Sequence, residues 1–152
     1  MIIGIDPGKT GGIVLLKENT IIDYTKMPDN IYDISNIFTK HKNAQLYVAI
    51  EKVGAMPGQG VASMFKFGYN VGVIHGILSM YKFPKEEVTP LKWKKYFNIP
   101  GKKANPSLCK EKTIEIARNY IPMMRNIPYH SGIYDAALIA LYVQQRKDNK
   151  WY

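Results

Sequence analysis

Met1-Ile-Ile-Gly-Ile-Asp-Pro-Gly8 opens the chain, and the acid at position 6 governs how the rest is read. Side chains alternate along a strand, so Ile3 and Ile5 share one face while Gly4 and Asp6 share the other. Pro7 cannot continue a ladder and Gly8 permits a sharp turn, which leaves Asp6 at the mouth of a sheet. Alone, such an acid is an ordinary turn or cap residue. Two further acids change its meaning. Glu51 ends the apolar run Tyr47-Val-Ala-Ile-Glu51, and Asp135 opens the apolar helical segment Asp135-Ala-Ala-Leu-Ile-Ala-Leu-Tyr142. Three carboxylates converging at one sheet edge repel one another unless a cation offsets their charge. The combination points to a metal-dependent enzyme.

Working outward, strands are expected at about 1–6, 11–17, 20–26 and 46–51, with a short one near 87–89. Gly12-Ile-Val-Leu-Leu16 alternates poorly, as suits a strand buried on both faces. Helices are expected over Asp29–Lys42 with Ile31, Ile34, Ile37 and Phe38 on one side, over Ala62–Tyr81, from Pro90, over Pro106–Asn119 and over Ser131–Gln145. Gly54–Gly60 reads as a loop. This order predicts an α/β fold with a mixed five-stranded sheet flanked by helices, in one domain spanning 1–152.

Composition narrows the partner. Of 152 residues, 46% are hydrophobic, and the formal net charge is +9, which favours a polyanion. The charge is concentrated: lysines 92, 94, 95, 102, 103, 110 and 112 face a single acid, Glu111, in that stretch. A solvated lysine-rich surface is the plain alternative. Cys109 is the only cysteine, so no internal disulfide can form and a reducing compartment fits. No signal peptide and no stretch long and apolar enough to span a bilayer is evident, so a cytoplasmic location is expected.

Asp135 tests the acid-site reading most sharply. Leu138, Ile139 and Tyr142 follow it on the same helix face, where an uncompensated carboxylate is costly. A helix N-terminus, a partner or a cation would relieve it. Ala136, Ala137 and Ala140 let the helix lie close to whatever it covers, bringing Asp135 toward the strand ends. Three carboxylates suit Mg²⁺ or Mn²⁺. Two such ions about 4 Å apart serve phosphodiester hydrolysis.

Ile3-Gly-Ile-Asp-Pro-Gly8, Ala49-Ile-Glu-Lys52 and Asp135-Ala-Ala-Leu-Ile-Ala140 resemble the RuvC-type Holliday-junction resolvases of the RNase H-like superfamily, in particular the phage-encoded branch. Met64–Gly76 and the stretch from Val88 to Lys95 look similar too, so the likeness spans most of the chain in order. The resemblance implies a homodimer that binds four-way and other branched DNA and makes paired nicks with Mg²⁺ or Mn²⁺, within the host cytoplasm if phage-encoded. Residue by residue, Asp6, Glu51 and Asp135 match acids of the family. Lys110 matches a basic position near the scissile phosphate. Lys102 and Lys103 lie in the preceding basic loop, and Lys94, Lys95 and Lys112 are candidates for backbone phosphates. Met56, in the loop after Glu51, is a candidate wedge at the crossover.

One departure stands out. The family carries a further acid or histidine three or four residues before the last acid, where this chain has Gly132 and Ser131. His130 could substitute only if the helix start shifts, and Ser131 reads as an N-cap. The alternative function is therefore a junction-binding protein with weakened or absent catalysis. A phosphotransferase of the actin and sugar-kinase type, which also opens on an acid-bearing glycine turn, needs two lobes that 152 residues cannot supply. Gly68, Gly72 and Gly76 lie on one face of the long helix, each costing about 1 kcal/mol against alanine. Close packing against the chain's own sheet and a dimer seam both account for them.

Overall fold

The computed structural model describes residues 1–54, 58 and 60–148. Strands β1 (Ile2–Asp6), β2 (Gly12–Lys17), β3 (Thr20–Lys26), β4 (Tyr47–Glu51) and β5 (Lys85–Val88) form a five-stranded sheet in the order β3-β2-β1-β4-β5. β1 is antiparallel to β2 and parallel to β4, and β5 extends the parallel side, so the sheet is mixed as expected. Glu18 and Asn19 take left-handed backbone conformations in the two-residue turn between the paired Lys17 and Thr20.

Helices cover both faces. Ile3, Ile5, Ile13, Leu15, Val48 and Ile50 pack against α1 (Ile31–Lys40) and α2 (Val61–Met80), through Ile34, Phe38, Ile74, Ile77 and Leu78. On the opposite face, Ile2, Val14, Leu16, Ala49 and Val88 meet α3 (Pro90–Tyr96), α4 (Pro106–Tyr120) and α5 (Ser131–Asp148). β1 and β2 are thus buried on both sides, which explains their unbroken apolar runs.

Several boundaries differ from the sequence expectation. α1 starts later because Asn30 caps it, its Oδ1 accepting from Asp33 N at 2.9 Å, and it ends earlier, at Lys40, with His41 as its C-cap. Ile31 consequently lies in the first turn and is 48% exposed rather than on the inner face. β5 starts at Lys85 and stops before Thr89, which is the N-cap of α3 with Pro90 at its first position. A 3₁₀ turn at Pro122–Arg125 was not foreseen; Tyr134 Oη anchors that region, its one proton shared between Met124 O (2.8 Å) and Ile127 O (2.9 Å).

The glycine stripe of α2 does not pack on the sheet. A Cβ built at Gly68, Gly72 or Gly76 meets nothing within 4 Å, because α2 turns Ile74, Ile77 and Leu78 inward instead. Its outer face exposes Val61, Phe65, Tyr69 and Met80.

Candidate active site

Close approach of α5 to β1 and β2 builds the site. A Cβ on Gly4 would run into Ala136 O and lie 2.9 Å from the Ala140 Cβ. One on Gly12 would lie 2.8 Å from Gly132 C, and Gly11 and Gly132 touch as an isolated parallel bridge. Glycines on the sheet and alanines on the helix therefore let two backbones meet. That contact sets Asp135 over the strand ends carrying Asp6 and Glu51, on the face away from α1 and α2.

Each acid is half-buried; Glu51 feels the charges of Asp6 and Asp135, and Asp135 feels that of Asp6. Burial, then the charge of Asp6, pushes the Glu51 carboxyl up to about 7; Trp93 opposes this, Asp135 adds to it, and Lys94 opposes it. Burial raises Asp135 to about 6, helped by Asp6 and countered by Lys94 and Lys102. Asp6 is also raised by burial, against the Gly8 N–H and the charges of Lys94, Lys102 and His130.

The hydrogen bonds leave donor atoms for a cation. Asp6 Oδ1 accepts from Gly8 N at 3.2 Å, and Glu51 Oε1 accepts from Trp93 Nε1 at 2.9 Å. Among the described residues no three His, Cys, Asp or Glu side chains are gathered tightly enough to form a finished metal cage. The donor chemistry nevertheless fits a hard divalent ion: three carboxylates of raised proton affinity, chiefly through burial, with two of their oxygens engaged among the described residues.

The raised carboxyls have a measurable consequence without metal. Their neutral forms favour the fold, so this stabilisation is present below the unfolded values of 4.5 for Glu51 and 3.8 for Asp135. It is lost as pH rises through about 6 and about 7. In EDTA, Glu51→Gln should therefore match the wild-type Tm near about pH 5. It should exceed it near about pH 8 by roughly 2 kcal/mol, several degrees, with Mg²⁺ closing the gap. Scanning fluorimetry across pH checks this; an offset independent of pH would contradict it.

Glu51 and Asp135 line an open cleft of about 880 Å³ between α3, the 97–105 loop and α4. Lys94, Lys95, Lys102, Lys103 and Lys112 line the same cleft, so five of the singled-out lysines share a wall with two of the acids. Lys94 and Lys102 are the cations felt by the acids, whereas Lys110 lies with its Nζ 5.0 Å from the Tyr129 ring centre. Tyr129 in turn feels the charge of Asp135. Lys112 is bound to Glu115 at 2.8 Å.

The start of α5 also corrects the reading. His130, not Ser131, caps the helix: its carbonyl accepts from Tyr134 N at 3.0 Å and its Nδ1 from Ile133 N at 3.4 Å. Gly132 cannot carry a ligand, since any Cβ there would enter the backbone of Thr10 and Gly11. Trp93, buried beneath Glu51, was missed as part of the site; a lone aromatic among Lys92, Lys94 and Lys95 was its signal. Met56 lies outside the described residues.

Solved structures share this architecture. Thermus thermophilus RuvC superposes with a TM-score of 0.67 at 19% identity, covering 98% of this chain and 96% of that one. The chain has the fold of RuvC. A second structure, T. thermophilus RuvC in complex with Holliday junction substrate, matches with a TM-score of 0.66 at 17% identity, over 97% of this chain and 94% of that one. No protein-family model and no curated protein matches the sequence. Among the described residues no helix is long and apolar enough to cross a membrane.

Proposed function

We propose that this protein is a structure-selective endonuclease that resolves four-way and other branched DNA by divalent-metal-dependent hydrolysis of phosphodiesters, making paired nicks. The observation that supports the reading best is that Glu51 and Asp135 line one lysine-lined cleft, with Asp6 near enough for its charge to act on both, on the fold that RuvC uses. The T. thermophilus RuvC neighbour was solved with a Holliday junction substrate, which supports branched DNA as the ligand.

Asp6, Glu51 and Asp135 would hold Mg²⁺ or Mn²⁺, as two ions. When bound, these would activate the attacking water and offset the charge on the scissile phosphate. The chain's own residues do the rest. Glu51 and Asp135 must give up any proton they carry, so metal uptake releases protons near neutral pH. Lys94 and Lys102 offset the negative charge of the acids in the unliganded site. Lys95 and Lys103 extend the positive wall along which a DNA backbone would run.

A homodimer completes the reading. The outer face of α2, with Val61, Phe65 and Tyr69 exposed and the glycines open, offers a second copy a close helix approach. Two copies would set two sites on opposite strands, as paired nicking needs.

Phosphate contacts by the cleft lysines make binding electrostatic. In EDTA, log affinity for a four-way junction should fall against log salt with a slope steeper than about −3, since each neutralised phosphate contributes about −0.9. Junction should also outcompete linear duplex in a gel-shift assay. A flat salt response, or equal affinity for duplex, would count against the proposal. Junction binding without nicking in either metal would favour a binding-only protein, for which the absent side chain at Gly132 is the structural motive.

A further inference from the structure

Trp93 is fully buried, with the largest side chain among the fully buried residues. A buried indole needs one acceptor, and a backbone carbonyl would serve as well as any. Here the acceptor is a carboxylate of the acid cluster: Trp93 Nε1–H donates to Glu51 Oε1 at 2.9 Å. The ring of the same residue carries Lys94, whose Nζ lies 5.1 Å from its centre and 3.8 Å from Cys109 Sγ. Glu51 and Lys94 both line the basic cleft, so one buried side chain touches an acid and a cation of the same site.

Geometry makes this more than core packing. Glu51 ends β4, where it has nothing but its own torsions to choose a direction, and both Asp6 and Asp135 repel it. Trp93 comes from α3, whose start is fixed by Thr89 and Pro90 directly after β5, the strand paired with β4. The indole is therefore anchored relative to the backbone that carries Glu51. Among the described residues Glu51 Oε2 accepts no hydrogen bond.

The geometry points to Trp93 as a positioning residue: its N–H fixes one rotamer of Glu51 with Oε2 left for a divalent cation. This inference rests on the metal-site reading above. It assigns the job to the donor N–H rather than to the bulk of the ring, which makes the two separable.

The test replaces Trp93 by phenylalanine and, separately, by β-(3-benzothienyl)alanine, which keeps the two-ring shape and exchanges the N–H for sulfur. Mn²⁺ binding to the DNA-free full chain is measured by titration calorimetry. Nicking of a four-way junction is measured as a function of Mn²⁺ concentration. Both variants should bind Mn²⁺ about 10- to 100-fold more weakly, while junction affinity in EDTA stays within about twofold. The loss should appear at low Mn²⁺ and largely disappear at saturation, and Trp93→Phe should add little to the deficit of Glu51→Gln. Wild-type Mn²⁺ affinity in the benzothienyl variant would overturn the inference and leave the nuclease reading intact. A wild-type chain that takes up no Mn²⁺ would overturn both.

Discussion

Asp6→Asn should abolish junction nicking while leaving junction binding equal to or tighter than wild type. Asp6 ends β1 at the centre of the sheet, next to β4 and beneath α5, so it is the acid most tightly fixed by the fold. Removing a metal-holding carboxylate forfeits transition-state charge stabilisation of several kcal/mol, which at about 1.4 kcal/mol per decade is roughly a thousandfold in rate. Binding moves the other way because one negative charge facing the phosphates is gone. Folding should not suffer: burial already disfavours the Asp6 carboxylate, and the neutral amide keeps an oxygen for the Gly8 N–H. Rate assays, gel shifts and a melting curve on the same preparation separate these effects. Nicking within about tenfold of wild type, or parallel loss of binding and cleavage, would show that Asp6 is not where the chemistry happens.

The second large effect is structural, at the place where RuvC-type resolvases carry a further acid or histidine. Gly132→Asp would restore an acid there and should destabilise the chain rather than activate it. Its Cβ would enter the Gly11 backbone and the Thr10 carbonyl, neither of which can rotate aside. Overpacking of this kind costs at least about 3 kcal/mol, a Tm fall of roughly 6–12 °C for a chain of this size. Ser131→Asp, one residue earlier and half-buried in the first turn of α5, should fold normally, since an acid there also suits the helix N-terminus. Wild-type melting of Gly132→Asp would mean that α5 does not lie on β1 and β2 as described.

Much of this was legible in the sequence because the site interrupts apolar patterns. Asp6 and Glu51 each end an apolar strand, and Asp135 breaks an otherwise inward helix face, so the acids announce themselves by being in the wrong place. The alanines of α5 correctly indicated a close approach. What the helix approaches was not legible, because Gly4, Gly12 and Gly132 acquire meaning only when two backbones are brought together. The same limit misled in the other direction for α2: glycines spaced by four look like a packing seam, yet only the inward turn of Ile74, Ile77 and Leu78 shows that the stripe faces outward.

Lys94, Lys95, Lys102, Lys103 and Lys112 of the basic run line one cleft, and which lysine neighbours the acids depends on how α3 and the following loop lie against α5. Lys94 and Lys102 are the lysines whose charge Asp135 feels, and Lys110 lies over the Tyr129 ring. Caps were similarly ambiguous: serine is the commoner cap, but the His130 backbone turns one residue earlier and its imidazole takes the role. Trp93 was visible only as an aromatic among lysines; its hydrogen bond to Glu51 required the strand and the helix to be placed together.

The central claim is tested most directly by incubating the chain with end-labelled four-way junction and with linear duplex of the same sequence, in Mg²⁺ and in Mn²⁺, with Asp6→Asn alongside. Symmetric paired nicks in the junction alone, dependent on metal and absent with Asp6→Asn, are the predicted result. No nicking in either metal despite tight junction binding, or nicking of duplex and junction alike, would contradict it.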